Sequence, residues 1–228
     1  MRELTFAVAK LTKTPIAGFE NDASACYDRI VMNLVSVIFD RMGVPIGPLR
    51  LQEHTLLRVT HFLKTGFGTS TASYTSDALS RIYGVGQGRK AGPVTWVAVR
   101  TLLFEAQDLL GAGLSMSNPP TQIISHKRNS DGFIVDTTGY HNQLSEWLHK
   151  TPSIATVFQG LQNDAQIWER LLWTTGGLLE LSKCRFYYIV YWNFTTDGLG
   201  KMVPKAEIMN TPAMQLTEGD TGRLQTVE

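Results

Sequence analysis

Two cysteines in 228 residues, Cys26 and Cys184, leave no disulfide framework to build on. Both are read as reduced thiols of an intracellular protein, in cytoplasm or nucleus. No run of about 18 apolar residues is present, so no membrane span and no membrane partner are expected. Met1-Arg2-Glu3-Leu4 opens without the apolar core of a signal peptide. An excess of one charge is also missing: 21 Lys and Arg face 20 Asp and Glu. That argues against a surface that attracts polyanions everywhere, although a local basic patch needs no net charge. Internal repeats and low-complexity tracts are missing too, which removes solenoids and linker-like segments. Asn193-Phe194-Thr195 matches a glycosylation acceptor, but with no secretory signal it is read as chance.

What the chain does have is core. At 43% hydrophobic and 18% charged it is a folding sequence, long enough for one large domain or two small ones. Leu4, Phe6 and Val8 alternate with smaller residues and predict a short strand. A second strand runs into Asp22. Ile30, Leu34, Val37 and Ile38 recur at helical spacing, predicting a helix from Tyr27 to Arg41 that stops at Gly43 with Pro45 beyond. Gly47-Pro48 opens a further helix, with Leu49, Leu56 and Leu63 as its seam and its end before Gly66. Phe67 to Tyr83 reads as strand and loop. After the glycine-dense stretch from Gly84 to Pro93, Trp96 to Leu110 continue as a helix ended by Gly111 or Gly113.

Thr121 to His126 predicts a strand. Asn129-Ser130-Asp131-Gly132 supplies a hairpin turn, and Phe133 to Asp136 the return strand, with Thr137 in a solvent-open turn beyond it. A helix from Ile154 to Leu172 ends at Gly176-Gly177, and Phe186 to Trp192 form a buried strand. Strands interleaved with helices and hairpins give an α+β architecture, a mixed or antiparallel sheet with helices mainly on one face. From Pro204 onward the patterning is weak; residues 196–228 read as a C-terminal tail or the start of a further module.

Two carboxylates fall at strand ends. Asp22 lies on the turn into a helix, rigidly carried yet open to solvent, which suits a hard cation. Asp28 falls in the first helical turn, where a carboxylate meets the positive end of the helix dipole. Asp136 ends a second strand. Both Asp22 and Asp28 also serve as ordinary turn and helix-start residues. The glycines from Gly84 to Gly92 would let the backbone approach a ligand closely.

Four blocks now stand in order: Asp22-Ala23-Ser24-Ala25-Cys26-Tyr27-Asp28-Arg29-Ile30, Gly86-Gln87-Gly88 with Gly92-Pro93, Phe133-Ile134-Val135-Asp136-Thr137-Thr138, and Thr175-Gly176-Gly177 with Lys183. Together they resemble the palm domain of reverse transcriptases. They look most like the reverse-transcriptase-like reading frames of eukaryotic retrotransposons and related retroelements, and the resemblance runs from Phe19 to Trp192. It implies a ferredoxin-like palm over residues 1–195 and RNA-directed DNA synthesis by a two-metal mechanism with Mg2+ or Mn2+. The implied partners are an RNA or DNA template-primer and a deoxynucleoside triphosphate.

By the same resemblance, Asp22 and Asp136 are catalytic metal ligands. Tyr27 lies beneath the incoming sugar, and Gln87 and Gly88 lie against the nucleotide and template. Lys183 protonates the leaving pyrophosphate. Each residue also has a plain role open to it: Tyr27 as core, Lys183 as a partner of a helix C-terminus, Gln87-Gly88 as a turn.

The chain departs from the pattern in three places. The usual Asp-Asp reads Asp136-Thr137 or, one step earlier, Val135-Asp136, so Asp136 is either the first or the second of the pair. Gly86 stands where many relatives have Pro. Only 21 residues precede Asp22, so the fingers segment is largely missing. A degenerate or fragmentary polymerase, or a non-catalytic nucleic-acid-binding module that retains the palm fold, fits these departures. Gly86-x-Gly88-x-x-Ala91 with Glu105 also matches a dinucleotide fingerprint, but Ser80 to Tyr83 is a poor buried strand and Pro93 sits inside the required helix.

Overall fold

Strand β1 (Ile16–Asp22) is buried at every position except the half-buried Glu20. It sits at the middle of a sheet. The structure, a computed structural model, describes residues 2–24, 26–76, 84–85, 90–117, 125–133, 136–142, 153–184, 186–208, 214–216 and 225–226. The chain is α+β and divides into two compact units. Unit 1 comprises Met1–Ser24, Leu103–Thr174 and Leu178–Glu228; unit 2 comprises Ala25–Leu102 and Thr175–Gly177.

In unit 1, β7 (Asp136–His141) pairs antiparallel with one edge of β1 and β8 (Phe186–Val190) antiparallel with the other. Strand β6 (Ser130–Phe133) adds outside β7, and β11 (Gln225–Thr226) runs parallel outside β8. The order is β11-β8-β1-β7-β6. The segment after residue 195 thus contributes a strand to this sheet. It also contributes β10 (Gly200–Met202), paired with β9 (Trp192–Phe194), and the short helix α7 (Lys205–Ile208).

Alternation sorts the side chains of β1 onto two faces. Ala17, Phe19 and Asn21 face helix α6 (Ile154–Thr174), whose Val157, Phe158, Leu161, Ala165, Trp168 and Leu172 form the buried stripe. The Phe158 and Tyr187 rings lie 5.5 Å apart, and Trp168 Nε1 donates to Asn21 Oδ1 at 2.9 Å. Gly139, the cross-strand partner of Phe19, has no side chain because the Phe19 ring occupies the place of a Cβ. On the other face, helix α1 (Arg2–Thr12) packs Phe6 against Tyr188 with rings 5.1 Å apart, and Ala9 against Ile16 and Tyr140. A helix therefore lies on each face, where the sequence pattern puts helices mainly on one.

Several local expectations give way. The alternation at Leu4, Phe6 and Val8 predicts a strand, but the segment is α1. Thr5 and Ala9, four apart, are its buried positions, whereas Leu4 is exposed. The hairpin turn placed at Asn129–Gly132 is shifted: Ser130–Phe133 is strand, and Phe133 pairs with Asp136. Thr137 is accordingly a strand residue, not part of an open turn.

In unit 2, the helix predicted from Tyr27 to Arg41 breaks into α2 (Cys26–Arg29) and α3 (Met32–Arg41). Val31 is extended at the break, where its N–H donates to Thr175 O at 3.1 Å. Helix α4 (Ile46–Leu57) ends before Leu63, which lies in β2 (Thr60–Thr65), hairpin partner of β3 (Gly68–Thr75). Helix α5 (Ala91–Leu110) contains the boundary between the units. No helix among the described residues is long and apolar enough to cross a membrane.

The buried polar centre of unit 1 is Asp164, on the apolar face of α6. Its oxygens accept from Ala112 N at 2.8 Å and Gly113 N at 3.0 Å, and Oδ2 lies 2.7 Å from His141 Nδ1. Backbone N–H groups can only donate, so the ring is written with hydrogen on Nδ1. The carboxylate thereby ties α6 to the end of β7 and to the loop after α5. Asp164→Ala leaves three donors without their acceptor. We expect a loss of about 3–5 kcal/mol in urea unfolding, against less than about 0.5 kcal/mol for the exposed Asp197→Ala.

Candidate metal and nucleotide site

Asp22 ends β1, and Asp136 opens β7. The two are direct cross-strand partners. Side chains of directly opposed residues share a face, so both carboxylates emerge on the side away from α6. Asp22 is the more enclosed, with a side chain 12% exposed, while Asp136 is exposed. Glu20 shares their face by strand alternation.

The chain after α6 returns to this end of β1. Ala23 makes an isolated bridge with Leu179, Ser24 N donates to Leu178 O at 2.7 Å, and Glu180 N donates to Asp22 O at 2.9 Å. Lys183 follows in the same turn, its N–H on Glu180 O at 2.8 Å. Its Nζ donates to Asp22 Oδ2 at 2.7 Å. That bond and the Asp22 charge raise the lysine pKa; Glu180 and Asp136 add to the effect, against some desolvation. Glu180 is itself held below the usual carboxylate range, first by the hydroxyl of Ser182, which donates to Oε1 at 2.6 Å, and then by Ser24. Asp22 Oδ1 is buried and has no hydrogen-bond partner. Asp22, Asp136 and Lys183, three of the residues singled out in the sequence, are thus gathered at one end of one sheet.

The other three belong to unit 2. Tyr27 is half-buried in α2 of unit 2, its hydroxyl pKa raised by burial and then by Cys26. Gln87 and Gly88 lie outside the described residues. Gly84, at the head of the glycine stretch, has φ +92°, and its absent Cβ makes room for the backbone of Asp28. Its N–H donates to Ile30 O at 2.9 Å. That glycine serves the chain's own packing, not a ligand.

Thr137, next to Asp136 in β7, is placed differently. Thr137 pairs with Asn21 and is 4% exposed. It points toward α6, opposite to Asp22 and Asp136. A carboxylate at position 137 could not join theirs. Val135 lies outside the described residues.

Sequence reasoning missed Glu180, for which spacing offers no signal. It also missed Asp164 and Glu169, for which a signal exists: both fall on the apolar stripe of α6, where a charge demands partners. A cavity of about 470 Å³ lies beside His141, lined also by Ser115, Asn142, Thr156, Gln159 and Asn163. It is at the far end of β7 from Asp136, about 17 Å away along the strand, and takes no part in the site. Among the described residues no three or more His, Cys, Asp or Glu side chains gather to hold a metal ion. Two carboxylates completed by substrate oxygens is the pattern magnesium ordinarily uses.

Cys184 lies beneath the site, buried, with Sγ 3.8 Å from Asp22 O. Burial pushes its thiol up to about 11, with Asp22, Glu180 and Glu169 adding repulsion. The folded protein at pH 8 should therefore resist iodoacetamide at Cys184, and the urea-unfolded chain should react at once. A raised folded pKa means that the unfolded chain releases its proton first, so the contribution is intact below about pH 9 and declines as pH rises toward about 11. Unfolding midpoints at pH 7, 9 and 10.5 should fall, and Cys184→Ala should flatten the decline. No protein-family model matches the chain, and no curated protein matches it.

Proposed function

We propose that unit 1 is the palm of a reverse-transcriptase-like nucleotidyltransferase acting on an RNA or DNA template-primer and a deoxynucleoside triphosphate. One observation carries the reading: Asp22 and Asp136, far apart in sequence, are register partners at the same end of adjacent antiparallel strands, on the face α6 leaves free. Magnesium or manganese is the implied cofactor, and the donors fit it. Asp22 Oδ1 is a buried acceptor without a partner, and the Asp136 carboxylate is its neighbour. A metal held there supplies Lewis-acid stabilisation of the attacking and leaving oxygens. Asp22 and Asp136 hold it, and Lys183 meets the negative oxygens of the triphosphate and gives a proton to the departing pyrophosphate.

The second reading, a non-catalytic nucleic-acid-binding module with the palm fold, is favoured by one observation. Thr137 faces α6, so β7 adds a single carboxylate to the Asp22 face.

The test is primer extension on an RNA template with magnesium and with manganese, beside fluorescence anisotropy of a labelled primer-template. We expect weak extension that falls at least about a hundredfold in Asp22→Ala. Thr137→Asp should not raise extension, and should lower the unfolding midpoint because it buries an unpaired carboxylate. Extension indifferent to Asp22→Ala would overturn the assignment. Duplex binding with no extension in any variant selects the binding module.

A further inference from the structure

Lys183 is not a loosely placed surface lysine. Its turn is pinned to the backbone of Asp22 itself, through Glu180 N and Cys184 Sγ on the Asp22 carbonyl. The side chain is 67% exposed, yet its tip lies 2.7 Å from Asp22 Oδ2. Asp22 has a second oxygen that is buried and unpartnered. The turn thus delivers one positive charge to the more enclosed of two neighbouring carboxylates, with solvent on the lysine's other side.

We infer that Lys183 is a resident counter-cation of the Asp22–Asp136 pair, which a divalent metal must displace from Asp22, so that metal entry is coupled to the arrival of the nucleotide. The inference rests on the metal-binding reading proposed above and adds a regulation to it. An ammonium and a divalent ion sharing one carboxylate repel each other, because both sit within a few ångströms of the same oxygen. Metal alone therefore meets a site whose charge is already partly answered. A triphosphate changes that balance. Its oxygens offer the lysine a new anionic partner, and an exposed ion pair is easily exchanged for another. Lys183 moves onto the phosphate, Asp22 is released, and the metal binds both. By linkage, metal then tightens nucleotide binding by the same factor as nucleotide tightens metal.

The experiment measures Mn2+ binding by the electron paramagnetic resonance of free Mn2+, with and without dGTP and with no primer present. Manganese held by dGTP alone is measured separately and subtracted. Wild type should bind Mn2+ weakly alone and much more tightly with dGTP. Lys183→Met should bind Mn2+ alone about tenfold more tightly than wild type, with the added effect of dGTP reduced. Lys183→Arg, which keeps the charge, should behave as wild type. Asp22→Asn, close in shape to the native residue, should abolish the binding in either background. Equal or weaker Mn2+ affinity in Lys183→Met, with binding still lost in Asp22→Asn, overturns the inference and leaves the metal site standing. Mn2+ binding that ignores Asp22→Asn in every variant overturns both.

Discussion

The register of β1 against β7 is the constraint on which the rest of unit 1 depends. Six consecutive pairs run from Ala17 with His141 to Asp22 with Asp136. Because strand side chains alternate, a slip of one residue would carry every side chain to the other face. Asn21 would leave Trp168, and Asp22 would be driven against the apolar stripe of α6. The same register that buries Phe19 over Gly139 brings the two aspartates together. Packing and site are therefore set by one choice, and the apolar face enforces it. Phe19 and Tyr187 bury large areas each, of the order that dominates core energetics.

Unit 1 contains two enclosed aspartates that are treated differently. Asp164 has both oxygens engaged, by two backbone N–H groups and an imidazole. It is complete and acts as a tie between elements. Asp22 has one oxygen on an exposed lysine and one on nothing. A buried acceptor left open costs stability unless something fills it. That difference, not the burial of either carboxylate, is what supports the ligand site proposed at the end of β1. The cavity beside His141 is backed by the satisfied Asp164 network.

Long elements were legible in the sequence for a simple reason. The stripe Val157, Leu161, Ala165, Trp168, Leu172 repeats over about four turns and has one interpretation. Short or ambiguous stretches were not. Leu4, Phe6 and Val8 alternate over too few residues to distinguish strand from helix, and α1 prevails because Phe6 and Ala9 find the sheet. The apolar spacing continues unbroken through Ile30 and Val31, yet a carbonyl from Thr175, distant in sequence, captures Val31 N and divides the helix. Leu63 continues a leucine seam in sequence but belongs to a hairpin.

The sequence by itself determined that the chain is α+β, that Asp22 and Asp136 stand at strand ends, and that α6 is a buried-face helix. These follow from periodicity and punctuation, which are local properties of the chain. Only the tertiary structure decided which residues meet. Strand pairing set Asp136 beside Asp22 and turned Thr137 to the opposite face, and the return of the chain after α6 laid Lys183 on Asp22. Pairing partners are chosen by the burial of whole faces, a property of the assembled sheet that no single segment contains.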